Sequence, residues 1–402
     1  MPKITDKLYA VFKRQTVSTN FIPQIDGLRF LAIWLVVVDH IQGFVRTKIP
    51  FDIITPGTTT YWPIYQFIDS NGRKGVLLFF VISGFILGMP FAKHFWQGEK
   101  PVRLKNYFLR RLTRLEPPYI LNMLACYFLL VLYKGHEFSA MFSKSFAGLF
   151  PNLASSLVYM HNIIFPNNFS VNPVSWSLEI EVQFYLLVPL LVLIFKLPKL
   201  YRRGLLAFLI LFFTFLQGHF PLRVLTIYSF IQYFLTGFLL LDIYLSGFRL
   251  NIKPLWSFLA GSAILFPFFY LDTYTTANFD FYFLFIVFGL FLLVITNDVW
   301  GKIFSLRFFT AVGGMCYSIY LWHNLIVSGV GNYSIHINFF HSYLGSLFWH
   351  MTILLTSVLL VSSVFYLLVE KPCMDRDWPV KLWAYVKGLF RGKKAVSNIA
   401  GG

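Results

Sequence analysis

Charge is scarce in this chain. Only 13% of its 402 residues are charged, and 17 of those are acidic against 34 Lys and Arg, well below the charged fraction of a soluble domain. Cysteine is scarcer still. Cys126, Cys316 and Cys373 are odd in number and widely spaced, which excludes a disulfide framework and a cysteine-rich metal cluster. There is no H-E-x-x-H and no G-x-S-x-G in the sequence, so no metal is expected and no serine-hydrolase elbow is present. Internal repeats and a second polar domain are also missing.

What fills the chain instead is apolar: 57% of its residues are hydrophobic, and Phe, Trp and Tyr alone make up 20% of the sequence. Several runs are long enough to cross a bilayer, which makes this an integral membrane protein. The net charge of +17 would point to nucleic acid in a soluble chain. Here most of the Lys and Arg lie in short segments between apolar runs, as the positive-inside bias requires.

The pattern predicts an all-α, polytopic membrane protein with ten transmembrane helices over residues 26–45, 75–93, 117–133, 175–195, 205–220, 224–246, 254–271, 279–296, 308–330 and 344–369, plus short interfacial helices. Alternate connecting segments then carry 26 of the 34 Lys and Arg on one side and 7 on the other, with Arg29 inside the first span. Both termini are therefore expected in the cytoplasm, with the protein in the cytoplasmic or inner membrane. The fifth and sixth spans, separated by little more than Pro221, are the least distinct. Residues 4–14 and 381–390 mix aromatic or aliphatic residues with Lys and Arg, as interfacial amphipathic helices do. Residues 139–160 read as an interfacial or re-entrant helix, a lid, or a surface loop. The organisation expected is a cytoplasmic amphipathic segment at 1–24, a transmembrane domain at 25–372 and a basic tail at 373–402. Residues 1–24 lack the apolar core of a signal peptide.

The first span, IDGLRFLAIWLVVVDHIQGF, holds the costliest polar groups. Arg29 and His40 are eleven residues apart, three helical turns plus about 20°, so they share a stripe roughly 16 Å long, with Asp26 near its start. Polar groups on such a helix face protein or water and mark function. A histidine titrates close enough to neutrality to act as a base. Asp39 lies about 100° from His40 around the helix, a poor position for holding its imidazole directly, and a structural role is as well supported.

DGLR followed by Asp39-His40, GVLLFFVISGFILG at 75–88, RRLTR at 110–114, VSWSLEIEVQFYLLVPLL at 174–191, YSIYLWH at 317–323 and VEKP at 369–372 together resemble the membrane acyltransferase family 3. Any one string is weak, but six in order across the chain are specific. The resemblance implies transfer of an acyl group, usually acetyl from acetyl-CoA, to a hydroxyl of a carbohydrate or related lipid-linked acceptor at the membrane. Some members carry an external hydrolase-like domain. About thirty residues follow the last span here, so delivery straight to the acceptor or to a separate partner is expected.

Under that resemblance His40 matches the first-span histidine and becomes the candidate base, with an acyl-imidazole as a second option. Glu181 matches the glutamate of the SWSLxxExxFY pattern and is read as a second catalytic group, able to orient a histidine, accept from a sugar hydroxyl or pair with an arginine. Glu179 faces away from it. Arg111 and Arg114 match RxxR and are candidates for the CoA phosphates, since guanidinium groups bind phosphate bidentately. Arg29 lies toward the same side, for the donor or for tying helices. Ser83, Trp176 and His323 are candidates for substrate contact, with close packing at Ser83-Gly84, an interfacial anchor at Trp176 and a polar packing cluster at His323 as the alternatives. Glu370 and Lys371 read as a helix stop with a local ion pair. A transporter or flippase of a lipid-linked or acylated solute is the alternative function, because intramembrane charges also line transport paths.

Overall fold

The computed structural model describes residues 9, 11–12, 21–48, 71–132, 146–166, 170–273, 275–337, 339–340, 342–375, 377–384 and 387. Apolar runs without hydrogen-bonding side chains must satisfy their backbone internally, and helices do so within one segment. The described residues accordingly form helices and no strand.

In chain order these are α1 (Pro23–Lys48), α2 (Asn71–Gln97), α3 (Leu104–Leu132), α4 (Phe146–Leu157), α5 (Trp176–Leu191), α6 (Lys199–His219), α7 (Ile231–Leu245), α8 (Pro254–Tyr270), α9 (Phe279–Thr296), α10 (Asp298–Phe304), α11 (Arg307–Gly314), α12 (Cys316–Ser334) and α13 (Tyr343–Phe365). Helical turns extend α5 at both ends, over Pro173–Lys196, and α13 to Cys373. Seven of these helical stretches are long and apolar enough to cross a membrane, with α7 and α8 as shorter apolar helices.

The helix α1 is the spine. It packs against α2, α11, α12 and α13, and its buried residues divide between two cores. Ile25, Leu28, Ala32, Leu35 and Val36 join a core built with α2, α5, α7 and α9. Ile33, Val37, Ile41 and Val45 join another, built with α3, α12 and α13. His40 thus sits on the seam where the two halves meet.

The expected fifth and sixth spans are separate helices that run antiparallel. Arg202 near the start of α6 donates from Nε to Oδ1 of Asp242, near the end of α7, at 2.7 Å. Both side chains are buried, a pairing that offsets the cost of desolvating each charge.

The expected single span at 308–330 is instead broken at Met315 into α11 and α12. Just before the break α11 is pressed against the start of α1: a Cβ on Gly313 would fall 1.8 Å from the carbonyl oxygen of Asp26. The new helix start at α12 is then capped from the far end of the chain. Oε2 of Glu370 accepts from the backbone N–H of Ser318 at 3.0 Å and from its Oγ at 2.6 Å, while Lys371 donates to the carbonyl of Val11 at 2.5 Å.

Within 139–160, residues 146–157 form α4, which packs on α3 and buries Leu149 and Leu153; residues 139–145 lie outside the described residues. So do most of 4–14, apart from Tyr9, Val11 and Phe12, and most of 385–390. Residues 378–384 are helical, and Trp378 donates from Nε1 to the carbonyl of Thr113, inside RRLTR, at 2.8 Å.

Candidate active site

The imidazole of His40 is fixed by its own helix. Nδ1 lies 2.7 Å from the carbonyl oxygen of Val36, one turn earlier. A carbonyl only accepts, so Nδ1 carries the proton and the neutral ring presents Nε2 as a lone pair. His323 on α12 repeats the arrangement, with Nδ1 against the carbonyls of Tyr320 at 2.8 Å and Ile319 at 3.1 Å. The two rings meet edge to face, centroids 5.0 Å apart and planes at 84°. His323 is fully buried, and its Nε2 has no hydrogen-bond partner among the described residues.

His40 opens into a cavity of about 380 Å³, large enough for a sugar-sized ligand. Val36 and Val76 form its apolar floor, while His161, Asn162, Ser170, Trp176, Tyr320 and Arg223 supply the polar wall. The segment carrying His161 and Asn162 is held from behind. Glu179, fully buried, accepts from the backbone N–H of Asn162 at 2.8 Å. The amide Nδ2 of Asn162 donates to the carbonyl of Trp176 at 3.0 Å, and Nε2 of His161 donates to Oδ1 of Asn152 at 2.9 Å. Glu179 therefore faces away from Glu181 yet braces the cavity wall.

Tyr320, also in the lining, reaches Oγ of Ser177 at 2.7 Å and donates to the carbonyl of Val174. Asn122 and Asn172 both donate to the carbonyl of Leu321, each at 3.0 Å, and Nδ2 of Asn172 also donates to Oδ1 of Asn122 at 2.8 Å. These buried bonds fix α12 against α3 and the start of α5, and with it the position of His323.

A family model described as an acyltransferase domain matches residues 22–367. The chain belongs to this acyltransferase family. Among curated proteins it is 25% identical over 415 aligned positions to the O-acetyltransferase OatA of Staphylococcus aureus strain NCTC 8325 / PS 47, covering 94% of this chain and 62% of that protein. It is 26% identical over 353 positions to the peptidoglycan O-acetyltransferase OatA of Listeria monocytogenes, covering 79% and 51%. The chain thus spans between half and two thirds of the length of these relatives. No solved structure matches it.

The remaining acyltransferase motif residues fall into a second cluster. Oε1 of Glu181 accepts from Oγ of Ser83 at 2.8 Å and from the Tyr185 hydroxyl at 2.6 Å. The guanidinium of Arg111 stacks 3.5 Å over the ring of Tyr107 and lies 5.4 Å from that of Tyr185. Nη1 of Arg111 donates to the carbonyl of Tyr107 at 2.8 Å. Ser83, Glu181, Tyr185 and Arg111 are therefore linked in series, and His40 receives its own orientation from Val36 instead of from Glu181.

Arg111 and Arg114, three residues apart on one helical face, each hold a buried Nε that no hydrogen bond satisfies among the described residues. That is the donor set an anionic ligand would complete. Arg29 is engaged differently. It pairs with Asp26 at 2.5 Å within α1, the two lower members of the stripe neutralising one another.

Asp39 stands beside the first turn of α2, where a Cβ on Gly72 would come within 2.4 Å of its Oδ2; a helix N-terminus favours such a carboxylate. Trp176 is half-buried, lines the cavity and packs on Phe230 at 5.7 Å. Among the described residues no group of three His, Cys, Asp or Glu side chains is arranged to hold a metal ion.

His161, Asn162 and Arg223 carry no sequence signal. They belong to connecting segments that only the packing of α5 against its neighbours brings together.

Proposed function

We propose that this chain is a membrane O-acyltransferase that moves acetyl from acetyl-CoA to a hydroxyl of a cell-surface polysaccharide or glycolipid precursor. The observation that carries this reading is His40, set with Nε2 unprotonated at the edge of a polar, sugar-sized cavity, in a chain matched to an acyltransferase family over nearly its whole length. The names of the relatives, O-acetyltransferase and peptidoglycan O-acetyltransferase, support a cell-wall polysaccharide as the acceptor class.

The charge asymmetry of the connecting segments supports cytoplasmic termini, which puts the cavity on the external side and Arg111 and Arg114 on the cytoplasmic side. Acetyl-CoA, when bound, supplies the thioester. Arg111 and Arg114 hold its phosphates through the guanidinium edges left unsatisfied in the helix bundle. On the other side, Nε2 of His40 takes the proton of the acceptor hydroxyl as its oxygen bonds to the acyl carbon. That proton leaves with the departing thiol, so the products are an O-acyl sugar and a free thiol. Ser83 and Tyr185 hold Glu181 between the two ends, where it sets the acceptor or base geometry. Asp39 supports this end by fixing α1 against α2.

The test is release of free thiol from acetyl-CoA by purified protein with a polysaccharide acceptor present. A transporter of an acylated solute would release none. Arg111→Ala is expected to weaken acetyl-CoA binding about tenfold, the effect of one charge-assisted contact. Unchanged affinity would remove the arginine from the donor site.

A further inference from the structure

We infer that the cavity beside His40 contains a subsite for an oxyanion, centred on Arg223, and that the acceptor is a sugar carrying a phosphodiester or a carboxylate near the hydroxyl that reacts. Between Arg203 and Arg249 the chain has one Lys or Arg, and it is Arg223. It lies in the connection from α6 to α7, lines the same cavity as His40 and is exposed. No hydrogen bond or ion pair engages it among the described residues, unlike Arg29, Arg73, Arg202 and Arg203, each of which is paired with a carboxylate.

The loop that carries Arg223 is held at both ends. The Tyr228 hydroxyl donates to the carbonyl of Phe220 at 3.0 Å, closing the loop on itself. The N–H of Ile227 donates to Oε1 of Gln183 at 2.8 Å, fastening it to α5, the helix that begins with Trp176. A guanidinium on a fastened loop has a defined place relative to the cavity, so less entropy is lost when a ligand engages it.

The rest of the lining supports a charged sugar over a neutral one. His40, Asn162, Ser170 and Tyr320 are uncharged hydrogen-bonding groups suited to hydroxyls, and Trp176 offers a flat apolar face to a ring. Among the described residues Arg223 is the one formal charge in the lining. A guanidinium makes paired bonds to phosphate or carboxylate oxygens and has no comparable preference for a hydroxyl.

Binding to the full chain in nanodiscs of zwitterionic lipid tests this, with N-acetylglucosamine, N-acetylglucosamine 6-phosphate and glucuronic acid as probes at low salt. At least one charged sugar is expected to bind about tenfold more tightly than the neutral one. Arg223→Gln should erase that difference, Arg223→Lys should keep part of it, and Arg223→Glu should invert it. Preference for the phosphate alone would assign phosphodiester acceptors, and preference for both would assign oxyanions in general. Equal affinities in the native chain, or a preference that survives Arg223→Gln, would overturn the subsite. The inference rests on the acceptor entering the cavity as proposed above, but it is read by binding. A protein that selects charged sugars through Arg223 and transfers nothing would remove acyl transfer and leave the subsite standing.

Discussion

The imidazoles of His40 and His323 meet edge to face at 5.0 Å, each with its Nδ1 proton committed to a carbonyl of its own helix. Both rings therefore present Nε2 as an acceptor, and only one of them, His40, lines the cavity. His40 therefore faces the cavity, while the ring of His323 packs against that of His40.

Replacing His40 with Ala should lower the rate of acyl transfer by about 10²- to 10⁴-fold, the range for loss of a positioned general base. His40 is only partly buried, so the melting temperature of the purified variant should stay close to that of the native chain. Turnover measured alongside thermal unfolding checks both. A stable variant with normal turnover would take His40 out of the chemistry.

His323→Ala is expected to reduce kcat with little change in the KM for the acceptor, because its ring packs against that of His40 and is not among the residues lining the cavity. The sharper measurement is the double variant. If His323 acts through His40, then His40→Ala with His323→Ala should be no slower than His40→Ala alone, as for residues that work as a unit. Additive losses would mean that His323 serves the reaction independently.

Much of this site is legible in the sequence, and the limit lies where helices meet. His40, Glu181, Arg111 and Arg114 stand in strings whose spacing within one helix is fixed, so their presence and face can be read directly. The partners of Glu181 cannot. Ser83 lies on another helix, and its bond to Glu181 depends on how α2 and α5 are rotated, which hydropathy does not encode. Arg29 shares a stripe with His40, but its pairing with Asp26 emerges only with side-chain conformation. The break at Met315 is hidden because α11 and α12 form one continuous apolar run, and the close approach of Gly313 to α1 beside it is remote in sequence. Cavity residues on connecting segments, such as Arg223 and His161, have no periodicity to reveal them.

Glu181 should separate structure from chemistry. Glu181→Ala leaves the hydroxyls of the partly buried Ser83 and Tyr185 without their acceptor, a loss of up to about 1–3 kcal/mol for each, the penalty of a fully buried group. Glu181→Gln keeps an amide oxygen for both. The alanine variant is expected to melt earlier than the glutamine variant, while both lose transfer if the carboxylate charge is needed. Equal melting temperatures would show that these hydrogen bonds contribute little to the fold.

Gly84 and Gly237 mark a close approach between α2 and α7. A Cβ on Gly84 would lie 2.1 Å from the carbonyl oxygen of Phe234, and one on Gly237 would lie 2.2 Å from that of Val81. Neither backbone atom can rotate aside as a side chain could, so the helices would have to separate along a contact that also aligns Ser83 with Glu181. Small residues permit this kind of approach where no hydrophobic force drives helices together. Either Gly→Ala substitution is thus expected to destabilise the protein by 1–3 kcal/mol or more, as overpacking does. Gly204→Ala and Gly218→Ala, whose added Cβ meets nothing within 4 Å, provide the comparison. Folded yield and melting temperature of the four variants should fall into two groups, and a tolerated Gly84→Ala would mean that α2 and α7 do not need this separation.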